Sequence, residues 1–222
     1  FHVKDPKFSL DEKLRTSATV FGRYSSAAEE KTTHASFGIG GAKLSWFSSF
    51  TYSDFGDLQA GKNRPDGYPD FGKKPFLVQQ DFNGNDVLVV NPHPNTQAPS
   101  GFESWSTIQK LGLKLSEDIK LNYNFYMSNT SNIPRYDRLI EVDENGIPFD
   151  AAWYYGPQQW MMNSLKFTYN RPSAFFDQAK LIIARQDYDE SRIDRGFGDH
   201  RLRTRTEHVK VWSANLDFDK QL

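Results

Sequence analysis

The chain of 222 residues contains no cysteine. That one absence excludes a disulfide scaffold, a thiolate zinc site and a cysteine nucleophile. Aliphatic residues are scarce as well, and the whole apolar set reaches only 37%, a smaller share than most soluble globules carry. No run approaches the ~20 apolar residues a membrane-spanning helix needs. Charge of one sign is also missing. With 27 Lys and Arg against 28 Asp and Glu, nothing draws the chain in bulk to nucleic acid. Phe1 to Lys13 carries charges where the apolar core of a secretory signal would sit. Without an initiating Met, the chain reads as a mature or internal piece. What it has in place of these is rings: 18 Phe, 10 Tyr and 5 Trp. A disordered tail lacks aromatics, so this is not one.

The rings and the few aliphatics recur with period two. From Ile119 to Met127 the odd positions are Ile119, Leu121, Tyr123, Phe125 and Met127, separated by Lys120, Asn122, Asn124 and Tyr126. Successive side chains on a strand point to opposite faces, so one face is apolar and the other polar. The pattern repeats in Ala35–Ile39, Leu44–Ser53, Met161–Tyr169 and Trp212–Asp219. It is weaker in Lys13–Tyr24, Trp105–Leu115 and Ala179–Tyr188. Eight strands of about ten residues are expected, longer than the ~5–6 usual in soluble sheets.

The expected connections alternate in length. Gly40–Lys43, Ser116–Asp118 and Arg171–Gln178 are short, whereas Leu58–Ser104, Thr130–Gln158 and Glu190–Arg205 are long, and Ser25–Thr32 heads the long series. Short turns at one end and long polar loops at the other are the arrangement of an outer-membrane barrel. The polar face is mostly Ser, Thr, Asn and Gly with some Lys and Arg, as a watery or plugged lumen accepts. Tyr24, Tyr52, Trp105, Tyr126, Trp160, Tyr169, Tyr188 and Phe218 stand near strand ends, where an aromatic girdle is expected. The expected fold is therefore all-β: a transmembrane antiparallel β-barrel wall with long extracellular loops. A soluble sheet with one buried face shows the same alternation. What covers Ile119, Leu121, Tyr123 and Phe125 separates the two.

Several runs carry a family resemblance. They are Ser131-Asn132-Ile133-Pro134-Arg135-Tyr136-Asp137-Arg138-Leu139 and Ala152-Trp153-Tyr154-Tyr155-Gly156-Pro157-Gln158-Gln159-Trp160. Thr51 to Leu58, Asn91 to Asn95, Glu190 to Arg192, Phe197 to Asp199 and Asn215 to Phe218 add to them. Together they resemble the barrel of TonB-dependent outer-membrane receptors, most closely the Bacteroidetes branch grouped with haemoglobin, transferrin and lactoferrin receptors. The resemblance implies that residues 1–222 are about a third of one 22-stranded barrel domain, with the plug domain not included. It implies residence in the bacterial outer membrane and contact with lipid. It also implies contact with the receptor's own plug and, through the plug, with the TonB complex. The implied activity is active uptake of haem, a haemoprotein or another ferric chelate. A siderophore, cobalamin or glycan fits the same wall. A soluble secreted module holding carbohydrate on a ring-lined sheet is the reading from another class.

No catalytic or metal constellation emerges, so neither an enzyme nor a bound cofactor is expected. Five histidines are scattered without ligand spacing. Gly38-Ile39-Gly40-Gly41 lacks the Lys-Ser/Thr of a phosphate loop and reads as a strand turn. Asp81 to Asp86 lacks the closing Glu of a calcium loop and reads as a polar turn. Asn129-Thr130-Ser131 fits a glycosylation sequon. His93, held between Pro92 and Pro94 in the longest loop, is the candidate that could reach iron. His200 and Tyr136 are weaker candidates of the same kind. Arg135 and Arg138 could grip haem propionates or a ferric siderophore. Their neighbours of opposite sign, Asp137, Asp194 and Asp199, fit an ion-pair lattice between loops equally well.

Overall fold

The computed structural model describes residues 7–9 and 13–221, and every regular element in it is a strand. Eight long strands form one antiparallel sheet in chain order. They are β1 (Arg15–Ser25), β2 (Glu30–Gly40), β3 (Leu44–Phe55), β8 (Phe102–Lys114), β9 (Ile119–Thr130), β12 (Gln159–Tyr169), β13 (Gln178–Gly196) and β14 (Arg203–Asp219). All eight periodic segments of the sequence are strands here. The sheet is open: β1 and β14 are its two edges, and no pairing joins them. The expectation of a barrel is thus met as an antiparallel sheet, without closure among the described residues.

The loops hold structure that composition hid. β4 (Leu58–Gln59) pairs with β7 (Thr96–Gln97), and β5 (Phe76–Gln80) pairs with β6 (Asp86–Val90), so the segment expected as one loop contains a hairpin and a second small ladder around it. β10 (Ile133–Pro134) and β11 (Asp150–Tyr155) continue the β9–β12 pairing in the same register beyond the main sheet. Pro157, which has no N–H for a ladder, falls in the break between β11 and β12. β13 and β14 stay paired from Gln178↔Asp219 to Asp194↔Arg203. The expected loop Glu190–Arg205 therefore shrinks to residues 197–202. The first strand begins at Arg15, two residues after the expected Lys13.

The distribution of side chains inverts that of a soluble core. Ser45, Ser49, Ser53, Thr32, Lys110, Asn122, Asn124 and Thr168 are buried. Leu44, Trp46, Phe50, Leu111, Leu113, Tyr123, Leu165, Ile183 and Leu216, on the opposite face of the sheet, are exposed. Leu139 and Ala184 are the only buried hydrophobics among the described residues, and neither is on the apolar face. Every substantial contact between elements joins hydrogen-bonded neighbours, so among the described residues no second layer of strands covers either face. A single sheet buries one face by curling toward it, and this one curls toward its polar face. The accessible surface is 14725 Å², against about 10,400 Å² for a compact monomer of this mass.

Residues 7–9 lie on the polar face at the short-turn end. The Ser9 N–H donates to Gly41 C=O at 3.0 Å, and Ser9 is buried. A Cβ at Gly40 would strike the Lys7 carbonyl, and one at Gly112 would strike the Phe8 ring and the Ser45 hydroxyl. The two glycines make the room this segment occupies.

Candidate functional site

The long-loop end is stitched together by charge. At the tip of the β5–β6 hairpin the Asp81 carboxylate accepts the N–H groups of Asn83 and Asn85, both at 2.8 Å, and these bonds hold its pKa low. This is the polar turn expected from the sequence, with Gly84 at φ +79°. At the start of β6, Asp86 is almost fully enclosed. It accepts both arms of Arg195 at 2.6 and 2.8 Å and the Gly198 N–H at 2.8 Å. The Arg195 hydrogen bonds are the main cause of its lowered pKa, and His200 adds to them through its charge. The β3–β8 loop is thereby tied to the β13–β14 tip.

A second junction joins the β3–β8 loop to the chain between β10 and β11. Lys74 is buried, donates to Ala98 C=O at 2.7 Å, and holds its ammonium 5.5 Å from the centre of the Tyr136 ring. Burial lowers its pKa to about 8. The Tyr136 hydroxyl is buried with no hydrogen-bond partner among the described residues, and burial raises its pKa. Beside this pair lies a cavity of about 170 Å³, walled by Leu77, Val78, Pro134, Leu139, Ala152 and Trp153 among others.

Of the sequence candidates, Arg135 and Arg138 form ion pairs within their own loop and, among the described residues, not between loops. Arg135 forks onto Asp137 at 2.8 and 2.6 Å, donates to the Tyr155 hydroxyl at 3.0 Å and lies 4.9 Å from the Trp153 ring centre. Arg138 donates to Glu141 at 2.9 Å. Asp194 takes both Arg203 and Arg205. His93 is exposed. Its backbone is fixed by Asn91 Oδ1 on its N–H and by the Thr96 N–H on its carbonyl, at 2.9 and 2.8 Å. His200 is exposed at the β13–β14 tip, and its charge reaches Asp86. Tyr136 joins the buried junction. The five candidates therefore occupy three different loops, linked by the Asp86–Arg195 ion pair and by the Lys74–Tyr136 contact, and they do not converge on one point. Among the remaining histidines, His2 lies outside the described residues.

A column of rings stands on the polar face. Tyr126 and Trp160 share that face with Asn122, Asn124 and Ser164, with ring centres 6.2 Å apart. Trp160 donates to Gln186 at 3.1 Å, and Tyr188 donates to Glu190 at 2.7 Å. Lys110 and Arg192 stand over the rings of Tyr126 and Tyr155 at 5.8 and 5.9 Å. These three aromatics were expected in an outer girdle. The alternation itself sets Tyr126 with Asn124 on the polar face, and counting back from Ser164 sets Trp160 there too, so for these rings parity and the girdle expectation conflict. The outward rings are others: Tyr52 sits opposite Trp105, and Phe176 packs on Tyr169 and Phe218. Comparison with protein-family models, curated proteins and solved structures found no match for this chain.

Proposed function

We propose that this chain is part of the wall of a TonB-dependent outer-membrane receptor, with its apolar face in lipid and its polar face toward a plug. The observation that carries the reading is the inversion of burial. Leu44, Trp46, Leu111, Leu165 and Ile183 are exposed while Ser45, Ser49, Asn122 and Asn124 are buried. In water, a large contiguous apolar surface is a liability. In hydrocarbon it is the requirement.

The slant of the apolar band supports the same reading. Its upper limit is Tyr52 on β3 and Ile183 on β13, and Ile183 lies in the hydrogen-bonded row of Trp46. Over the four strand-to-strand steps from β3 to β13 the band drops by six residues. That is about 20 Å down across about 19 Å of sheet, or roughly 45°, close to the tilt of strands in membrane barrels. Nine residues separate its limits on β3, Leu44 to Tyr52 inclusive, the span a tilted strand needs to cross a bilayer. Polar groups on that face answer one another: Trp46 and Ser48 both bond Gln109, and Tyr123 bonds Asn163.

The work of such a wall is binding and gated passage. Ligands would meet the linked loops and then the ring column of Tyr126, Trp160 and Tyr188. Haem or another ferric chelate is the ligand class, on the family resemblance and the exposed His93 and His200. Fractionation tests the reading. The intact protein should remain with outer membranes through carbonate extraction and show heat-modifiable gel mobility after mild detergent. Recovery in the aqueous fraction without detergent would overturn it.

A further inference from the structure

Lys74 is 4% exposed, yet no carboxylate bonds its ammonium. Among the described residues its partners are the Ala98 carbonyl and the face of Tyr136. Asp57, the carboxylate whose charge reaches it, already accepts the Ser100 and Gly101 N–H groups on Oδ1 at 2.7 and 3.0 Å. An ammonium has three donors, and a buried one is ordinarily matched by an anion. Lys74 also forms one wall of the 170 Å³ cavity, whose other walls include Leu77, Val78, Leu139 and Trp153. A cavity of ~150 Å³ holds a benzene ring.

We propose that this cavity binds a compact carboxylate with an apolar body, of benzoate size. The carboxylate sits on the Lys74 ammonium and the ring sits against Leu77, Leu139 and Trp153. Pinning Ala98 uses one of three donors, and a bound anion accounts for the others and for the cavity beside them. The site lies wholly in the loops, so it stands whether or not the sheet meets lipid.

Benzoate titrated into the intact protein and followed by saturation-transfer NMR tests this. Saturable binding is expected, at least tenfold tighter than that of benzyl alcohol, which matches the shape without the charge. Lys74→Gln should weaken benzoate at least tenfold. Ala152→Leu fills the cavity, leaves Lys74 in place, and should abolish binding. The unmodified protein gives an independent reading, because benzoate stays ionised throughout the neutral and alkaline range. The titratable groups facing the ammonium are Asp57 and Tyr136. Affinity should therefore fall as the pH rises above about 8, where Lys74 loses its proton. Absent binding, equal binding of benzyl alcohol, indifference to Lys74→Gln, or a flat pH profile would each overturn the proposal.

Discussion

Asp86 shows how much of the loop architecture rests on single side chains. It is enclosed, forked by Arg195 and capped by the Gly198 N–H, so removing its charge strands a guanidinium that is itself largely covered. Breaking one partner of a buried pair costs about 3 kcal/mol or more. Asp86→Asn should therefore loosen the tie between the β5–β6 hairpin and the β13–β14 tip by that order. Amide hydrogen exchange at Gly198 would report it. Because the folded pKa of Asp86 is lowered, the tie is fully present above the ordinary carboxylate range near pH 4. It is lost as the pH falls through the lowered value, so the protection of the Gly198 amide, measured against the intrinsic exchange rate at each pH, should drop only in that acid range. The sequence displayed the polar turn Asp81–Asp86 but not this partner, which is 109 residues away. Local patterns carry no information about which loops meet. For the same reason Lys74 passed unnoticed among the residues of a long polar loop.

At the scale of the element, the strands were legible wherever alternation was clean, and the two faces were legible with them. The extensions were not. Glu190, Arg192 and Asp194 read as loop because they are charged, yet in β13 they alternate on one face opposite Glu207, Arg205 and Arg203 of β14. Ion pairs such as Arg192–Glu207 at 3.2 Å do there what apolar pairs do lower down. The face of a strand also gives a sharp prediction. Leu165 is exposed at 43%, so in a soluble sheet Leu165→Arg would change stability by no more than about 0.5 kcal/mol. With that face in hydrocarbon the same change costs ~2–4 kcal/mol. Denaturant unfolding of the reconstituted protein separates the two, and the larger loss is expected. On the other face, Gly40→Val should expel residues 7–9, seen as faster exchange of the Ser9 amide that now bonds Gly41.

For the whole molecule, alternation in the sequence predicted a two-faced antiparallel sheet, and the structure is one. What no period of two can display is the third dimension: the direction of curl and the slant of the apolar band. The central claim is that lipid covers the face of Leu111, Tyr123 and Leu165. Single spin labels from Met161 to Phe167, in protein reconstituted into bilayers, test it most directly. At 161, 163, 165 and 167 the labels should collide with dissolved oxygen and be shielded from a water-soluble nickel chelate, while 162, 164 and 166 should be shielded from oxygen. Equal access of the nickel chelate to the odd positions, or a protein that stays in the aqueous phase, would contradict the account.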